Sequence, residues 1–240
     1  MSDFRAIVYD LDGTLVDTFQ DISEAANHAL VTCGRKPLSL ETWKRLVGYG
    51  VKHLYGCALA GGLDENGNLL GPKPTDEEIE KAIQATKEYY DKYPIVHSKP
   101  YLGVEEVLEA FHREGLKQAI LSNKMHAVTD LTVNRLGLAR WIDPVIGESS
   151  RFPTKPDPTA LKYLMQTWKV TPQQTLMVGD AETDLNTAKN AGVRVCLLTY
   201  GARSREQLQA LEPDWLIDDF RSLRGIVLGC PPSQKTAEAL

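Results

Sequence analysis

The sequence predicts an α/β fold in which a doubly wound parallel sheet carries an inserted all-helical domain. Residues 4–9 are apolar apart from Arg5, which is the pattern of a strand buried on both faces. From residue 100 onward, short apolar runs alternate with amphipathic helical stretches, and this alternation indicates a parallel sheet with helices on both faces. Residues 18–95 instead show helical periodicity and no strand pattern. The helical segment therefore interrupts the sheet directly after its first strand.

The length of the chain, 240 residues, exceeds the commonest single-domain size, so two compact units are expected. We assign residues 1–16 and 96–225 to a sheet-containing core and residues 17–95 to a helical cap. Residues 226–240 show no clear period, and we expect a C-terminal tail there. A cap on two linkers beside the strand ends would be able to open and close over a site at that edge.

The helices of the cap are predicted from helix-ending and helix-starting residues as well as from periodicity. Gly34 ends the first helical stretch, and a break at Gly48 separates the second from the third. Thr75 with Glu78 three residues later matches a capping box, and the helix that it opens stops before Pro94. The cap helices are predicted at residues 20–33, 40–47, 51–60 and 75–93.

In the core, the predicted strands alternate with helical stretches that have one apolar face. The strands are predicted at residues 4–10, 117–121, 143–147, 175–178, 193–198 and 214–217. The helices are predicted at residues 104–114, 126–136, 157–168 and 182–190.

Polar side chains follow three of the predicted strands at the point where each strand ends. Asp10 and Asp12 end the first strand, Ser122 and Asn123 follow the second, and Asp180 follows the strand at 175–178. The carboxyl ends of parallel strands share one edge of the sheet, where open α/β folds bind ligands. An unpaired pair of buried carboxylates is costly, so we expect a cation or a proton between the first two acids.

Each of these features, taken alone, also has an ordinary structural explanation. Ser122 alone would be a helix cap, and Gly179-Asp180 alone would be a turn. Lys155, which precedes a predicted helix, would be a solvated surface charge. Their combination, in this order and on these elements, favours a functional site.

The string Asp-Leu-Asp-Gly-Thr-Leu-Val-Asp at residues 10–17 resembles the nucleophile motif of the haloacid dehalogenase-like (HAD) superfamily in its phosphatase form. Ser122, Lys155 and then Asp180 with Asp184 follow in the order of that superfamily's later motifs. The resemblance covers most of the chain. It implies a Rossmann-like HAD core and the hydrolysis of a small phosphate monoester.

The resemblance implies a role for each motif residue. Asp10 would be the nucleophile and would form an aspartyl-phosphate. Asp12 would act as general acid and base, and its presence favours phosphoryl transfer over C–Cl or C–P cleavage, because superfamily members with those activities lack it. Ser122 and the backbone amide of Asn123 would bind phosphoryl oxygens, and Lys155 would add a fixed positive charge.

The same resemblance implies Mg2+ as the cofactor. Its protein ligands would be the carboxylates of Asp10 and Asp180 and the backbone carbonyl of Asp12. Asp184 would orient the metal site from the second layer of contacts.

Several local strings, among them Ser122-Asn123-Lys124, resemble the phosphoglycolate phosphatase branch of the superfamily. The first candidate substrate is therefore 2-phosphoglycolate, and its carboxylate would need a cation when the cap closes. Arg45 and Lys52 flank the glycine break and are the candidates for that contact.

Other functions stay open at this point. A pyrophosphatase, a broad-specificity sugar or nucleotide phosphatase, and a β-phosphoglucomutase-like phosphotransferase share much of the pattern. The mutase branch carries a cap histidine where this chain has Asp21-Ile22, which makes that reading weaker. A catalytically silent binding protein is the remaining class, and the intact set of motif residues argues against it.

Composition excludes several other partners. The net charge of −5, without a basic run, argues against nucleic acid or an anionic membrane surface. No apolar run approaches the ~20 residues of a membrane span. The four cysteines are scattered and match neither a zinc site nor a disulfide framework. No basic-then-apolar leader precedes the first strand, so a cytoplasmic location is expected, with a small phosphorylated metabolite as the partner.

Overall fold

Six parallel strands form the main sheet of the protein. The computed structural model describes residues 3–149 and 151–229, and its strands within those ranges are β1 Ala6–Tyr9, β2 Val16–Asp17, β3 Lys99–Pro100, β4 Lys117–Met125, β5 Val145–Glu148, β6 Thr175–Gly179, β7 Arg194–Leu198 and β8 Trp215–Ile217. The strand order in the main sheet is β5-β4-β1-β6-β7-β8, and every pair is parallel. The predicted α/β fold with a parallel sheet is confirmed.

The helices flank this sheet or lie in the segment between β2 and β3. They are α1 Phe19–Thr32, α2 Leu40–Leu46, α3 Val51–Ala58, α4 Asp76–Lys92, α5 Val104–Arg113, α6 His126–Arg135, α7 Thr159–Trp168, α8 Glu182–Ala191, α9 Arg205–Gln209 and α10 Leu223–Leu228. The last two are short and were not predicted from periodicity.

Strand β1 is central because its side chains fill the apolar layers on both faces of the sheet. Ile7 belongs to a cluster with Phe111 of α5, whereas Val8 belongs to a cluster with Leu164 of α7 and Leu185 of α8. Alternate side chains of a strand point to opposite faces, so an entirely apolar run suits this position. The chain fills one side of β1 with β4 and β5 and then the other side with β6, β7 and β8. The edge where this direction changes is where open α/β sheets bind ligands.

The helical cap has an apolar core of its own, built by helices α1 to α4. Leu30, Trp43, Tyr55 and Ile83, one from each helix, belong to one cluster of buried residues. The predicted capping box at the start of α4 is present, with Thr75 and Glu78 bonded in both directions. The division of the chain into core and cap at residues 16/17 and 95/96 stays a prediction.

The two connections between the core and the helical cap are tied together by a short antiparallel ribbon that the sequence did not predict. Strand β2 on the outgoing connection pairs with β3 on the returning one. The buried carboxylate of Asp21, in α1, accepts hydrogen bonds from the backbone amides of Val96, His97 and Ser98. The ribbon and Asp21 therefore hold the entry and exit of the cap side by side.

Two boundaries differ more than the others from the predictions. Strand β4 continues to Met125, past the expected end at residue 121, with an irregular register after Leu121. Helix α10 extends to Leu228, past the predicted core boundary at residue 225. The six residues of α10 are too few to show a helical period, so this helix could not be predicted from periodicity. Residues 230–240 of the predicted tail lie outside the described residues.

None of the helices in the described ranges combines the length and the apolar character needed to cross a bilayer.

Candidate active site

Three carboxylates meet at the carboxyl edge of the sheet. Asp10 directly follows β1 and Asp180 directly follows the neighbouring strand β6, while Asp184 lies in the first turn of α8. One oxygen from each of the three lies within 4.8 Å of one oxygen from each of the others, and all three residues are buried. Adjacent parallel strands of matching register bring Asp10 and Asp180 together, as the sequence predicted.

A single buried ammonium lies among these carboxylates. The Nζ atom of Lys155 is 3.0 Å from Asp10 Oδ1 and 2.6 Å from Asp184 Oδ1. Burial by itself lowers the pKa of Lys155, but the charges of the two carboxylates outweigh that effect and raise it above its usual range. Lys155 is therefore a fixed cation of the site and not the surface charge that its residue type would suggest.

The positive charge of one ammonium does not balance the negative charge of three buried carboxylates. The pKa values of two of these acids are therefore raised. Burial raises the pKa of Asp10 to about 7, although Lys155 opposes the shift. Burial, together with the charges of Asp10 and Asp184, raises the pKa of Asp180 to about 8. Without another cation, the cluster takes up protons near neutral pH, so it is suited to a ligand that brings positive charge.

The surroundings of the cluster fit a hard divalent cation. The donors are carboxylate oxygens, the ligand type that Mg2+ prefers. Asp180 is held by Thr14, whose hydroxyl donates to Oδ1 at 3.0 Å, and by the amide of Ala202, which donates to Oδ2 at 2.6 Å. A methyl group added at Gly13 or Gly201 would come within 2.4 Å and 2.2 Å of Asp180 Oδ2, respectively. Two backbone segments without side chains therefore leave room for this carboxylate.

Asp184 is fixed from three directions. It accepts hydrogen bonds from Lys155 Nζ and, through Oδ2, from the amides of Asp180 at 3.1 Å and Ala181 at 3.2 Å. Its carboxylate is fully buried. This arrangement lets Asp184 orient both Lys155 and the backbone that carries Asp180.

Asp12 lies on the same edge with different partners. Its Oδ1 accepts a hydrogen bond from the hydroxyl of Thr18 at 2.6 Å and from Lys124 Nζ at 2.9 Å. The side chain is 8% exposed, so Asp12 is nearly buried but lines the cleft. The two acids of the first motif are therefore paired with different lysines, Asp10 with Lys155 and Asp12 with Lys124.

Ser122 and Asn123 lie in the last part of β4, beside the carboxylates. The side chain of Asn123 accepts from the amide of Lys155 at 2.7 Å and donates to the carbonyls of Lys155 at 2.9 Å and Gly48 at 2.8 Å. Asn123 thus fixes the loop that carries Lys155 and connects it to the helical cap. Ser122 lines the cleft, and its hydroxyl accepts from the amide of Lys124 at 3.3 Å.

The cleft between core and cap includes most of the predicted site residues, but Arg45 does not line it. Arg45 is exposed on α2 and donates to the carbonyl of Asp64 at 3.2 Å. The neighbours Trp43 and Leu46 occupy the buried face of this short helix, so Arg45 is directed elsewhere. Arg45 therefore faces away from the cleft in this structure, and its substrate contact stays a prediction. Lys52, the second candidate, is also exposed and is not part of the cleft lining.

Sequence reasoning missed three contributors to the site. Lys124 directly follows Ser122-Asn123, and this adjacency was the one available signal for it. Thr14 lies inside the string at residues 10–17 and Thr18 directly follows it, but a threonine beside a turn usually has a structural role and was not singled out. Their roles depend on the partners that the fold brings to them.

The chain is similar to known proteins over most of its length. A family model described as haloacid dehalogenase-like hydrolase matches residues 7–198. A Pseudomonas putida protein named phosphoglycolate phosphatase is 35% identical over 221 residues, which are 91% of this chain and 78% of that relative. A Vibrio vulnificus protein with the same name is 33% identical over 226 residues, 94% of this chain and 97% of that relative.

A solved structure agrees with these sequence matches. A Haemophilus somnus protein, described as a predicted phosphoglycolate phosphatase, superposes with a TM-score of 0.82 and 28% identity. The superposition covers 94% of this chain and 99% of that one. Both the core and the helical segment between β2 and β3 therefore have counterparts in a known architecture.

Proposed function

Because this chain belongs to the haloacid dehalogenase-like hydrolase family, we propose that it is a Mg2+-dependent phosphatase that acts through an aspartyl-phosphate on Asp10. The observation that carries this proposal is the buried group of Asp10, Asp180 and Asp184 around Lys155. Hydrolysis of a phosphate monoester needs a positioned nucleophile and neutralisation of the phosphoryl charge. Asp10 is the positioned nucleophile, and Lys155 together with a cation bound by the carboxylates would neutralise the phosphoryl charge.

Asp10 is the nucleophile because its carboxylate is held by one oxygen and offers the other. The amide of Leu11 donates to Oδ1 at 2.7 Å, and Lys155 contacts the same oxygen at 3.0 Å. The second oxygen, Oδ2, is then the atom that attacks phosphorus. Lys155 orients the attacking group and lowers the repulsion that the phosphate dianion meets.

Asp12 is the general acid and base of the proposal. In the first step it gives a proton to the leaving oxygen, and in the second it takes one from the water that hydrolyses the aspartyl-phosphate. Thr18, at 2.6 Å, fixes the carboxylate for both transfers. Ser122 and the amide of Asn123 donate to the phosphoryl oxygens.

Mg2+ would be held by Asp10, Asp180 and the backbone carbonyl of Asp12, where it would supply the positive charge that Lys155 alone does not provide. Asp184 keeps this ligand set in place through its hydrogen bonds to the amides of Asp180 and Ala181.

The proposed substrate is 2-phosphoglycolate. The name that the curated relatives from Pseudomonas putida and Vibrio vulnificus carry supports this choice, at 35% and 33% identity. We propose the cytoplasm, where small phosphorylated metabolites are formed, as the place of action.

The test is phosphate release from a panel of phosphorylated metabolites, with and without Mg2+. We expect hydrolysis of 2-phosphoglycolate that requires Mg2+ and is abolished in Asp10→Asn. A panel that includes pyrophosphate, sugar phosphates and nucleotides ranks the alternatives directly. Transfer of phosphate to a sugar phosphate instead of water, or equal activity of Asp10→Asn and the unchanged protein, would contradict the proposal.

A further inference from the structure

We propose that Lys124 is the specificity-determining residue of this site and binds a carboxylate attached to the carbon next to the phosphate ester. The proposal rests on the proposed phosphatase function and extends it to a substrate class, the O-phosphorylated 2-hydroxy carboxylates. It replaces Arg45 and Lys52 of the cap as the source of the cation that such a substrate needs.

The composition of the cleft gives the first argument. Of the described residues that line it, Lys124 is the one cation. The remaining lining is acidic near the sheet edge and mostly apolar further in, where Ile22, Leu54 and Val128 contribute. A second anionic group of a bound substrate would be repelled by the acids and left unpaired by the apolar wall. Lys124 supplies the positive charge that would bind this anionic group.

The distance between Lys124 and Asp12 gives the second argument. The ammonium lies 2.9 Å from Asp12 Oδ1, and Asp12 is the group proposed to protonate the ester oxygen. In a phosphorylated 2-hydroxy acid, one carbon separates that ester oxygen from the carboxylate. A substrate whose ester oxygen contacts Asp12 therefore has its carboxylate within reach of the neighbouring Lys124. A second anionic group attached much further along the substrate would lie beyond the reach of Lys124.

The donors of Lys124 allow both contacts at once. An ammonium has three N–H donors. Among residues 3–149 and 151–229, Asp12 is the hydrogen-bond acceptor of this ammonium, and the ring of Tyr90 lies 6.0 Å from it. The Lys124 side chain is 9% exposed, so a carboxylate that reaches it is largely desolvated, which strengthens the interaction.

The backbone directs Lys124 into the cleft. Its position falls in the irregular part of β4, between Leu121 and Met125, where the register with β5 shifts. Such irregularities re-aim side chains and are frequent beside active sites. The hydroxyl of Thr129 donates to the carbonyl of Lys124 at 3.2 Å and fixes this turn of the chain.

The experiment compares two substrates of nearly equal size in Lys124→Met and in the unchanged protein. The first is 2-phosphoglycolate, and the second is 2-hydroxyethyl phosphate, in which a neutral hydroxymethyl group replaces the carboxylate. A charge-assisted hydrogen bond accounts for a factor of about 10 to 150 in binding. We expect Lys124→Met to reduce the preference for 2-phosphoglycolate, as the ratio of the two kcat/KM values, by that factor, with the larger part in KM. Lys124→Arg should retain most of the preference, and Lys162→Met, a matched change at an exposed position of α7, should leave it unchanged.

A parallel loss of activity on both substrates would overturn the proposal, because it would show that Lys124 acts only through Asp12. Binding of both compounds to the Asp10→Asn protein in the presence of Mg2+ repeats the comparison without turnover. If Asp10→Asn/Lys124→Met loses the preference for 2-phosphoglycolate in binding, the proposal for Lys124 is supported. Failure of the unchanged protein to hydrolyse either compound would contradict the phosphatase function alone. Equal preference in binding with and without Lys124 would refute the proposal for Lys124.

Discussion

At the residue scale, the site has an excess of buried negative charge. Three buried carboxylates share one ammonium, and the protein gives Lys155 no other acidic partner than Asp10 and Asp184 among the described residues. Burial of like charges raises the pKa of carboxyl groups, and both Asp10 and Asp180 show this effect. The consequences are two measurable dependences on pH.

The first dependence is the stabilisation by Mg2+. In the metal-free protein the pKa of Asp10 is raised to about 7 and that of Asp180 to about 8, so between about pH 4 and pH 8 these two groups bind more protons in the folded state than in the unfolded state. Their contribution to stability therefore falls as the pH rises through that window. The proposed Mg2+ ion would bind the deprotonated acids, so the increase in Tm on addition of Mg2+ should grow from pH 5 to about pH 8 and then level off. An increase that is the same across this range would contradict the assignment of Asp10 and Asp180 as ligands.

The second dependence follows from removing the ammonium. In Lys155→Met, the metal-free protein must bury Asp10 and Asp184 without their partner, which costs about 3–5 kcal/mol when the acids are charged. At about pH 5 Asp10, whose pKa is raised to about 7, carries a proton and needs the ammonium less, so the loss in the free energy of unfolding should be smaller there and should grow toward pH 8. Urea unfolding at several pH values measures it, with Lys162→Met as the control. A loss independent of pH would indicate that Lys155 contributes packing and not charge.

At the scale of the elements, the geometry of the site is set by backbone that approaches the acids closely. Strand β6 ends in Gly179, and a methyl group there would lie 2.2 Å from the Asp184 carboxylate. The tight turn from β6 into α8 is what lets Asp184 accept from the amides of Asp180 and Ala181. The turn therefore positions two carboxylates of the proposed active site.

Gly179→Ala should abolish this arrangement. The added methyl group displaces Asp184, which releases Lys155 and the Asp180 backbone, so we expect loss of Mg2+ binding together with loss of turnover. Gly192→Ala is the matched control at the other end of α8, where the glycine has a φ of 71° and nothing lies within 4 Å of the added group. It should cost roughly 1 kcal/mol of stability through backbone strain and leave kcat unchanged. Mg2+ titration and unfolding curves of the two variants make the comparison. Normal Mg2+ affinity in Gly179→Ala would contradict this account of the turn.

The elements also show how far the sequence could be used. The apolar run of β1 and the acids that follow it predicted the central strand and the sheet edge, because a doubly buried parallel strand has few alternatives. The capping box of α4 was equally clear. The ribbon of β2 and β3 was not predictable, since two-residue strands carry no period and depend on a partner far along the chain. The same limit holds for the site. The sequence did not indicate that Lys124 lines the cleft or that Arg45 faces away from it, because the partners of a side chain across the cleft depend on the fold.

At the scale of the whole molecule, a few polar contacts connect the helical cap to the core beside the cleft. Arg203 donates to Glu182 at 3.0 Å and to the carbonyl of Lys44 in α2 at 3.3 Å. Tyr49 donates to the same Glu182, and Glu148 of β5 accepts from the amide of Val51 at 2.9 Å. These contacts join the glycine break of the cap to the edge of the sheet.

Arg203→Ala should favour an open cleft. Loss of its hydrogen bond to the Lys44 carbonyl of the cap costs about 1–2 kcal/mol of the closed arrangement, which corresponds to about 5- to 30-fold in the population of closed molecules. We expect KM for 2-phosphoglycolate to rise within that range and amide exchange at residues 47–52 to accelerate. Lys189→Ala, an exposed change on α8, is the control. Unchanged exchange at residues 47–52 would show that Arg203 does not hold the cap.

The proposed reaction transfers phosphate to Asp10 before water receives it. Rapid acid quenching after mixing the protein with Mg2+ and labelled 2-phosphoglycolate, followed by peptide mass spectrometry, tests it most directly. We expect a transient phosphoryl group on the peptide that contains residues 10–17, located on Asp10 and missing in Asp10→Asn. Label on any other residue, or turnover with no protein-bound phosphate at any quench time, would contradict it.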